Sequence, residues 1–169
     1  GSLLFWQEFF GTHALILGID IDPKCLKLPV DNCSVRIGSQ SDGKFLLDSI
    51  KEFGGVDVVI DDGSHINLHV ISSFKTLFPL MNQGGTYLIE DVAASYWPGI
   101  YKGGLNRRGT TMTFFKSLLD QVNSTYFRKV SKKFDFDAST IESIHFHNSI
   151  IVIRKKKVYD VKLWSNVNS

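Results

Sequence analysis

Short apolar runs alternate along the chain with segments in which apolar residues recur at helical spacing. Residues 14–19, 35–37, 56–60 and 86–89 are runs of strand length, and the third is so continuously apolar that burial on both faces is expected. This alternation is typical of parallel strands joined by crossover helices. The pattern predicts one α/β domain with a doubly wound, mostly parallel sheet and helices on both faces.

Helical spacing marks four further segments. Residues 2–10 predict a buried helix with Ser2 as its cap, and Ser41 or Asp42 is expected to cap the next helix. The apolar stripes of the remaining helices comprise Phe45, Leu46, Ile50 and Phe53; Val70, Phe74, Leu77, Phe78 and Met81; and Phe115, Leu118, Leu119 and Val122.

The second half of the chain contains two other patterns. Residues 92–109 lack periodicity and are rich in Gly, Tyr and Trp, which indicates a long functional loop. Apolar and polar residues alternate from 143 to 147, and Asn148-Ser149 separates them from the apolar run 150–153. This arrangement predicts a C-terminal antiparallel hairpin.

Composition narrows the class of protein. A length of 169 residues suits one domain, and a net charge of +2 gives no field that would capture nucleic acid. Two cysteines are too few for a disulfide framework, and no apolar stretch approaches the ~20 residues that span a bilayer. We therefore expect a soluble, cytoplasmic protein without a nucleic-acid or membrane partner, and the sequence leaves a homo-oligomer open.

Acidic and glycine residues stand where the predicted strands end. Asp20, Gly38, Asp62 and the pair Glu90-Asp91 each follow an apolar run. In open parallel sheets, ligands bind outside the carboxyl ends of the strands. A right-handed crossover between the strands ending near residues 61 and 90 brings their ends to the same edge. The sequence predicts a crevice that holds several carboxylates.

Crowded carboxylates repel one another unless they share a cation or protons. Oxygen ligands suit magnesium, calcium or manganese. Neighbouring residues of a strand point to opposite faces. Our hypothesis is therefore that Asp62, Glu90 and Asp91 reach a metal ion from the turns, while Asp61 braces the loop. The alternative is that these acids cap the helices that follow them.

Two histidines follow the first acidic pair. His65 lies three residues after Asp62. Histidine as a residue type changes protonation near neutral pH, so it suits a general base for a hydroxyl that a metal has acidified. His69 stands four residues later, a spacing that forms half of some zinc sites. The glutamate of the zinc protease motif is missing between them, so His69 is expected to be a helix-face residue.

Four motifs in this order resemble one enzyme family. They are Gly18-Ile19-Asp20-Ile21-Asp22-Pro23, Ile60-Asp61-Asp62-Gly63-Ser64-His65, Gly84-Gly85-Thr86-Tyr87-Leu88-Ile89-Glu90-Asp91 and Ser95-Tyr96-Trp97-Pro98-Gly99. Together they are similar to the metal-dependent O-methyltransferases that modify macrolide sugars, of the mycinamicin and tylosin type. The resemblance runs from residue 1 to about 154 and implies a Rossmann-like methyltransferase fold.

The resemblance also implies a cofactor, a metal and a substrate. S-adenosylmethionine would donate the methyl group, Mg²⁺ or another divalent cation would assist, and a small-molecule hydroxyl of a sugar or other diol would accept. The cofactor-binding residues implied are Gly1, Ser2, Asp20 for the ribose, Gly38, Ser39 and Gln40 along the adenine, and Asp61. The other implied roles are metal ligands at Asp62, Glu90 and Asp91, the base at His65, and the substrate border at Tyr96 and Trp97.

The chain departs from the family pattern in two places. Ser39 stands where the family usually carries an aspartate. The first strand and its acidic glycine-rich turn are not recognisable, and Gly1-Ser2 is either the end of that turn or a cloning remnant. We expect residues 1–155 to form the methyltransferase domain without that strand, residues 156–169 to form a tail, and the cofactor to bind weakly.

Three hypotheses remain open from the sequence. The first is a sugar or polyol O-methyltransferase, and the second is a catechol-type O-methyltransferase with the same metal and base chemistry. The third is a truncated or non-catalytic domain that keeps the fold as a structural or interaction module. The Asp62, His65, Glu90 and Asp91 set favours an enzyme, whereas the unrecognised strand and Ser39 favour the module.

Overall fold

Helices and strands alternate along the computed structural model, which describes residues 2–27, 33–127 and 134–157. The helices are α1 (Ser2–Phe10), α2 (Gly43–Lys51), α3 (Asn67–Leu77), α4 (Thr111–Ser117) and α5 (Leu119–Val122). The strands are β1 (Ile16–Asp20), β2 (Cys33–Ile37), β3 (Val56–Asp61), β4 (Met81–Ile89), β5 (Ile141–His147) and β6 (Ile150–Lys155). Gly1 and residues 158–169 of the predicted tail lie outside the described residues.

The strands form two hydrogen-bonded groups. One is the parallel pair β1–β2, and the other has the order β3-β4-β6-β5. In the larger group β3 and β4 run parallel, while β6 is antiparallel to both β4 and β5. The predicted parallel strands and the C-terminal hairpin are therefore confirmed.

Aromatic side chains dominate the core between α3 and the larger sheet. Phe74 is fully buried, and its ring lies 4.8 Å from those of Phe78 and Phe115 and 5.1 Å from that of Tyr87. These edge-to-face and stacked contacts hold α3 and α4 against β4. The amino end of α3 is thereby fixed next to the carboxyl end of β3.

Several sequence predictions hold locally. Asp42 caps α2, because its side chain accepts a hydrogen bond from the amide of Phe45. Gly11, with a φ of 81°, follows the last residue of α1. Asn148 and Ser149 form the hairpin turn, with His147 paired to Ile150.

Two predictions within helical stripes are wrong. Met81 begins β4 instead of ending the preceding helix, because Pro79 belongs to a 3-10 turn after α3 that interrupts the helical pattern. Leu119 is 44% exposed instead of facing inward. The helix breaks at Leu118 between α4 and α5, and this break changes which side of the segment faces the core.

An open cleft of about 1110 Å³ separates the two groups of strands. Residues 16–20 of β1 and 56–61 of β3 both line it, and no hydrogen bonds join these two strands in the part of the chain that is described. The predicted burial of β3 on both faces is therefore wrong, as Val58 is 39% exposed. Each strand keeps a row of backbone groups that are not paired with the other strand.

The amino-terminal helix is also more exposed than its sequence predicts. No residue of α1 is buried, and Phe9 is 67% exposed. The aromatic rings of α1 stack on one another, while Leu3 approaches the backbone of Gly18 on β1. Ser2 is the first residue of α1 and lines the cleft.

Candidate active site at the carboxyl edge of the sheet

The parallel pairing of β3 with β4 builds the predicted crevice. Asp61 is in register with Ile89, and the amide of Glu90 donates a hydrogen bond of 3.0 Å to the carbonyl of Asp61. The two strands consequently end at the same level. Asp62 leaves one strand end and Glu90-Asp91 leaves the other.

Three side chains converge just beyond these strand ends. The Nε2 atom of His65 lies 3.9 Å from Oδ1 of Asp62 and 3.8 Å from Oδ2 of Asp91. One potential ligand atom from each residue lies within 4.8 Å of the others. A divalent cation that prefers oxygen ligands can be accommodated between the two carboxylates.

The backbone is left-handed at two of the three residues. The φ angle is 55° at His65 and 50° at Asp91. Such a conformation costs a non-glycine residue of the order of 1–3 kcal/mol, and it is concentrated at functional sites. The turn of the hairpin supports the second position, because the carbonyl of Ser149 accepts a 3.0 Å hydrogen bond from Val92.

Glu90 lies beside the group without joining it. Burial raises the pKa of the Glu90 carboxyl, the negative charges of Asp62 and Asp91 raise it further, and His65 offsets part of the effect. The four residues therefore share one electrostatic environment. A cation there would relieve the repulsion among the three carboxylates.

Asp61 points into the protein and braces the site. Its buried carboxylate accepts hydrogen bonds from Gln40 Nε2 at 2.9 Å, Ser73 Oγ at 2.6 Å and Tyr87 Oη at 3.1 Å. These partners come from the loop after β2, from α3 and from β4. The contacts favour the role of a brace, and direct cofactor binding by Asp61 stays a prediction.

Gln40 connects this brace to the loop that follows β3. Its Oε1 atom accepts a hydrogen bond from the amide of Ser64, while its Nε2 atom binds Asp61. A Cβ atom on Gly63 would lie within 3 Å of the Gln40 side chain, so glycine permits the close approach. The predicted cofactor segment and the predicted metal loop are thus in direct contact.

Of the other predicted cofactor residues, Asp20 lines the cleft, whereas Gly38 and Ser39 are not among the residues that line it. The carbonyl of Asp20 accepts a 2.8 Å hydrogen bond from Gly38, which holds the ends of β1 and β2 together. The exposed Asp20 carboxylate accepts one from the amide of Asp22 and lines the cleft. A Cβ atom on Gly38 would fall on the ring of Phe45, and Ser39 bonds to Ser41 at 2.8 Å between the hydroxyl oxygens.

One cleft therefore connects the predicted cofactor and metal residues. Asp20, Gln40, Asp61, Asp62 and Glu90 all line it. Ser2 lines it as well, whereas Gly1 is outside the described residues. Asp91 and His65 stand at its rim beside Asp62.

The predicted substrate residues follow the second acidic pair. Tyr96 ends a 3-10 turn that begins at Val92, and it is 41% exposed. Trp97 is 50% exposed, and its ring meets that of Tyr101 edge-on at 5.5 Å. Exposed aromatic rings of this kind suit a ligand that presents an apolar or sugar surface.

His69 takes no part in the cluster. Its Nδ1 atom lies 3.0 Å from the hydroxyl of Ser64, and the potential metal group among the described residues contains His65 instead. The two histidines therefore do not form the half zinc site that their spacing allows.

Sequence reasoning missed several supporting residues. Ser73 and Tyr87 bind Asp61, Ser149 holds the backbone after Asp91, and Asn67 is buried at the start of α3. Polar residues inside an apolar stripe are a weak signal for such contacts, and Ser73 and Asn67 carry it. Nothing in the sequence around Ser149 distinguishes it from an ordinary turn residue.

Comparison with known proteins identifies relatives over most of the chain, although no family model matches it. The chain is 35% identical over 157 residues to 8-demethyl-8-alpha-L-rhamnosyl tetracenomycin-C 2'-O-methyltransferase of Streptomyces olivaceus, covering 92% of the chain and 41% of the relative. It is 42% identical over 127 residues to mycinamicin VI 2''-O-methyltransferase of Micromonospora griseorubida, covering 72% of the chain and 31% of the relative.

Solved structures give the same result. The MycE methyltransferase of the mycinamycin pathway, in complex with Mg, SAH and mycinamycin VI, matches with a TM-score of 0.79 and 33% identity over 92% of this chain and 40% of that chain. The chain is a homologue of the macrolide-sugar O-methyltransferases. The predicted resemblance and the methyltransferase fold are confirmed, while the chain spans only 31–41% of the length of these two O-methyltransferase relatives.

A second crystal form of MycE, with Mg and SAH, matches with a TM-score of 0.83 and 29% identity over 99% of this chain and 46% of that chain.

Within residues 2–27, 33–127 and 134–157, no helix combines the length and the apolar character needed to cross a bilayer.

The first testable consequence concerns the buried brace. Replacing Asp61 by Asn places an amide group where three donors converge, so one donor loses its acceptor. We expect Asp61→Asn to lower the free energy of unfolding by about 2 kcal/mol, measured by urea denaturation. The matched control is Asp48→Asn on the exposed face of α2, which we expect to leave stability unchanged. Equal stability of both variants would contradict the brace.

Proposed function

We propose that the chain is part of an S-adenosylmethionine-dependent O-methyltransferase that uses a divalent metal to methylate a sugar hydroxyl. One observation carries the proposal: Asp62, His65 and Asp91 converge within 4.8 Å beside the cleft that also contains Asp20. The chain that carries this arrangement is a homologue of sugar O-methyltransferases, and MycE has been solved in complex with Mg, SAH and mycinamycin VI.

The cleft supports the assignment of the cofactor site. Its Asp20 carboxylate is exposed at the end of β1, where it can accept hydrogen bonds from the two ribose hydroxyls. Gln40 belongs to the loop after β2, along which the adenine would lie. Its side chain binds Asp61 and the amide of Ser64, and so connects this loop to the loop after β3. Gly38 keeps the backbone of that loop close to α2, because a side chain there would collide with Phe45.

The donor set supports the metal assignment. Asp62 and Asp91 would hold Mg²⁺, with Glu90 beside them as a further oxygen donor, since hard oxygen ligands suit this ion. Burial raises the pKa of the Glu90 carboxyl, and the charges of Asp62 and Asp91 add to this effect, which a bound cation would oppose. When bound, the metal would orient the acceptor hydroxyl and lower its pKa.

Side chains of the protein itself would carry out the proton transfer. His65 would accept the hydroxyl proton at Nε2 while the oxygen forms its bond to the methyl carbon and the bond from that carbon to sulfur breaks. The carboxylates of Asp62 and Asp91, 3.9 and 3.8 Å from Nε2, would stabilise the resulting imidazolium. No covalent enzyme intermediate is required, because alignment of oxygen, carbon and sulfur supplies much of the rate enhancement.

A sugar acceptor fits the residues next to this centre. Tyr96 and Trp97 present exposed rings a few residues after Asp91, and stacking on a sugar face would place vicinal hydroxyls toward the carboxylates. The two relatives are named for rhamnosyl tetracenomycin-C and for mycinamicin VI. No observation supports a catechol acceptor.

The open cleft favours a second candidate function. Among the described residues, β1 and β3 are not bonded to each other, so the cleft between them is open. An open cleft of this kind would bind the cofactor weakly, which would suit a structural or interaction module that keeps the methyltransferase fold.

Binding of S-adenosylhomocysteine is the first test. We expect weak binding by calorimetry, and we expect Asp20→Ala to weaken it by at least about tenfold because two charge-assisted hydrogen bonds are lost. Asp22→Ala, two residues away and equally exposed, is the matched control and should change the affinity little. Binding that is indifferent to Asp20 would contradict the assigned ribose site.

The role of His65 can be tested against its neighbour. We expect His65→Asn, which tolerates the left-handed backbone, to reduce methyl transfer by about a hundredfold or more because the base is lost. Affinity for S-adenosylhomocysteine should stay within about twofold. His69→Asn is the control and should retain transfer, measured with radiolabelled S-adenosylmethionine. Similar rates in both variants would remove His65 from the mechanism.

The open edges of β1 and β3 can be tested by adding residues ahead of α1 that could pair with them. We expect a chimera that carries the segment of mycinamicin VI 2''-O-methyltransferase preceding the matched region to bind S-adenosylhomocysteine at least about tenfold more tightly. The same extension with two prolines inside it is the control, since proline removes ladder donors. Equal affinity with and without the extension would contradict this expectation.

A further inference from the structure

Asn67 occupies an unusual position for an amide side chain. It is the first residue of α3, two residues after His65, and it is 2% exposed. Its Nδ2 group donates a 2.7 Å hydrogen bond to the carbonyl of Tyr101. Its Oδ1 atom accepts hydrogen bonds from the amide of Thr111 at 2.6 Å and from the hydroxyl of Ser95 at 3.2 Å.

Ser95 extends the same buried network. It is 1% exposed, and its Oγ atom accepts a 3.1 Å hydrogen bond from the amide of Met112. Asn67 and Ser95 thus satisfy the first two amides of α4, which an isolated helix leaves without partners. The two side chains join α3, α4 and the long loop between β4 and α4.

Backbone hydrogen bonds close the loop between β4 and α4. Gly103 donates to the carbonyl of Trp97 at 2.6 Å, and Gly104 donates to that of Ser95 at 2.9 Å. The large apolar side chains at its tip point outward, since Ile100 is 70% exposed and Leu105 is 79% exposed. Apolar burial at the tip therefore contributes little to the position of the loop.

The backbone conformation of the loop also makes its position depend on these hydrogen bonds. Five residues of the loop have a positive φ between 52° and 157°, namely Gly99, Lys102, Gly104, Asn106 and Gly109. Lys102 and Asn106 are not glycines, so the surrounding structure must hold them in the left-handed region. The carbonyl of Tyr101, which directly precedes Lys102, is the group that Asn67 binds.

We propose that Asn67 is a positioning residue that fixes the aromatic loop, residues 95–111, relative to His65. Ser95 immediately precedes Tyr96 and Trp97, so a shift at Ser95 moves both rings. Both polar atoms of the Asn67 amide bind the loop or its junction with α4, so this side chain acts through the loop. The proposal rests on the proposed function only in assigning Tyr96 and Trp97 to the substrate.

Limited proteolysis tests the position of the loop without any substrate. Trypsin can cleave after Lys102, Arg107 and Arg108 in the loop, and after Lys51 at the end of α2 as an internal reference. We expect Asn67→Ala to raise cleavage in the loop by about tenfold relative to cleavage after Lys51, because the loop opens locally. Fragment masses identify each site.

Two further variants separate this effect from a general loss of stability. Thr76→Ala removes a part-buried hydrogen bond of 3.0 Å to the carbonyl of Ser72 near the carboxyl end of α3, and it should leave the cleavage ratio unchanged. Asn67→Asp keeps the acceptor for Thr111 and Ser95 but puts a second acceptor against the carbonyl of Tyr101, so it should also raise the cleavage ratio. If Asn67→Ala does not fold, Asn67→Asp decides. An unchanged ratio, or an equal rise after Lys51, would overturn the proposal.

Kinetics test the link to the substrate. With methyl rhamnoside as acceptor, we expect Asn67→Asp to raise KM about tenfold with kcat and the affinity for S-adenosylhomocysteine little changed. A fall in kcat at constant KM would overturn the link. If the unsubstituted chain does not methylate this acceptor, that result counts against the proposed function, and the cleavage ratio decides the role of Asn67 by itself.

Discussion

The in-register parallel pairing of β3 with β4 is the constraint on which the candidate site depends. It sets Asp61 opposite Ile89, so that the residues that leave the two strands emerge at one level. A slip of one residue would turn the side chains of one strand to the other face of the sheet and break the hydrogen bond from Glu90 to Asp61. The pairing of β4 with β6 then brings the hairpin turn to Asp91, where Ser149 holds the backbone.

Pairing alone would leave the loops after the strands free to move. The carboxylate of Asp61 prevents this by binding Gln40, Ser73 and Tyr87 from three different elements. A buried carboxylate with three donors is rigid, because each displaced donor would remain unsatisfied. The left-handed residues His65 and Asp91 can therefore be kept in place next to one another.

Sequence patterns predicted the parts of this arrangement that follow from chain geometry. Acidic residues at strand ends must meet at one edge once the strands are parallel, and Asp62 and Asp91 do so. The exposure of apolar side chains was harder to predict. Val58 and Phe9 stand in patterns typical of core residues, but both side chains are exposed to solvent. Their burial depends on what packs beside them, which the local pattern does not contain.

Polar contacts across the fold were predicted least well. Asn67 and Ser73 sit in an apolar stripe, and nothing local specifies that they bind Ser95 and Asp61. Such pairs are brought together only by the packing of α3 on the sheet. The hydrogen-bond partners of these residues are therefore known only from the tertiary structure, although the residues are recognisable as polar in the sequence.

The two halves of the candidate site have different physical support. The metal half is built on β3 and β4 inside a four-stranded sheet, and the aromatic core around Phe74 holds α3 against it. The cofactor half is built on the two-stranded pair β1–β2, which faces β3 across the open cleft. A two-stranded pair is marginal by itself, so its position depends on what fills that cleft. Changes at β1 should therefore weaken cofactor binding more than metal binding, because Asp62 and Asp91 follow β3 and β4 directly, whereas the loop after β2 reaches them through Gln40.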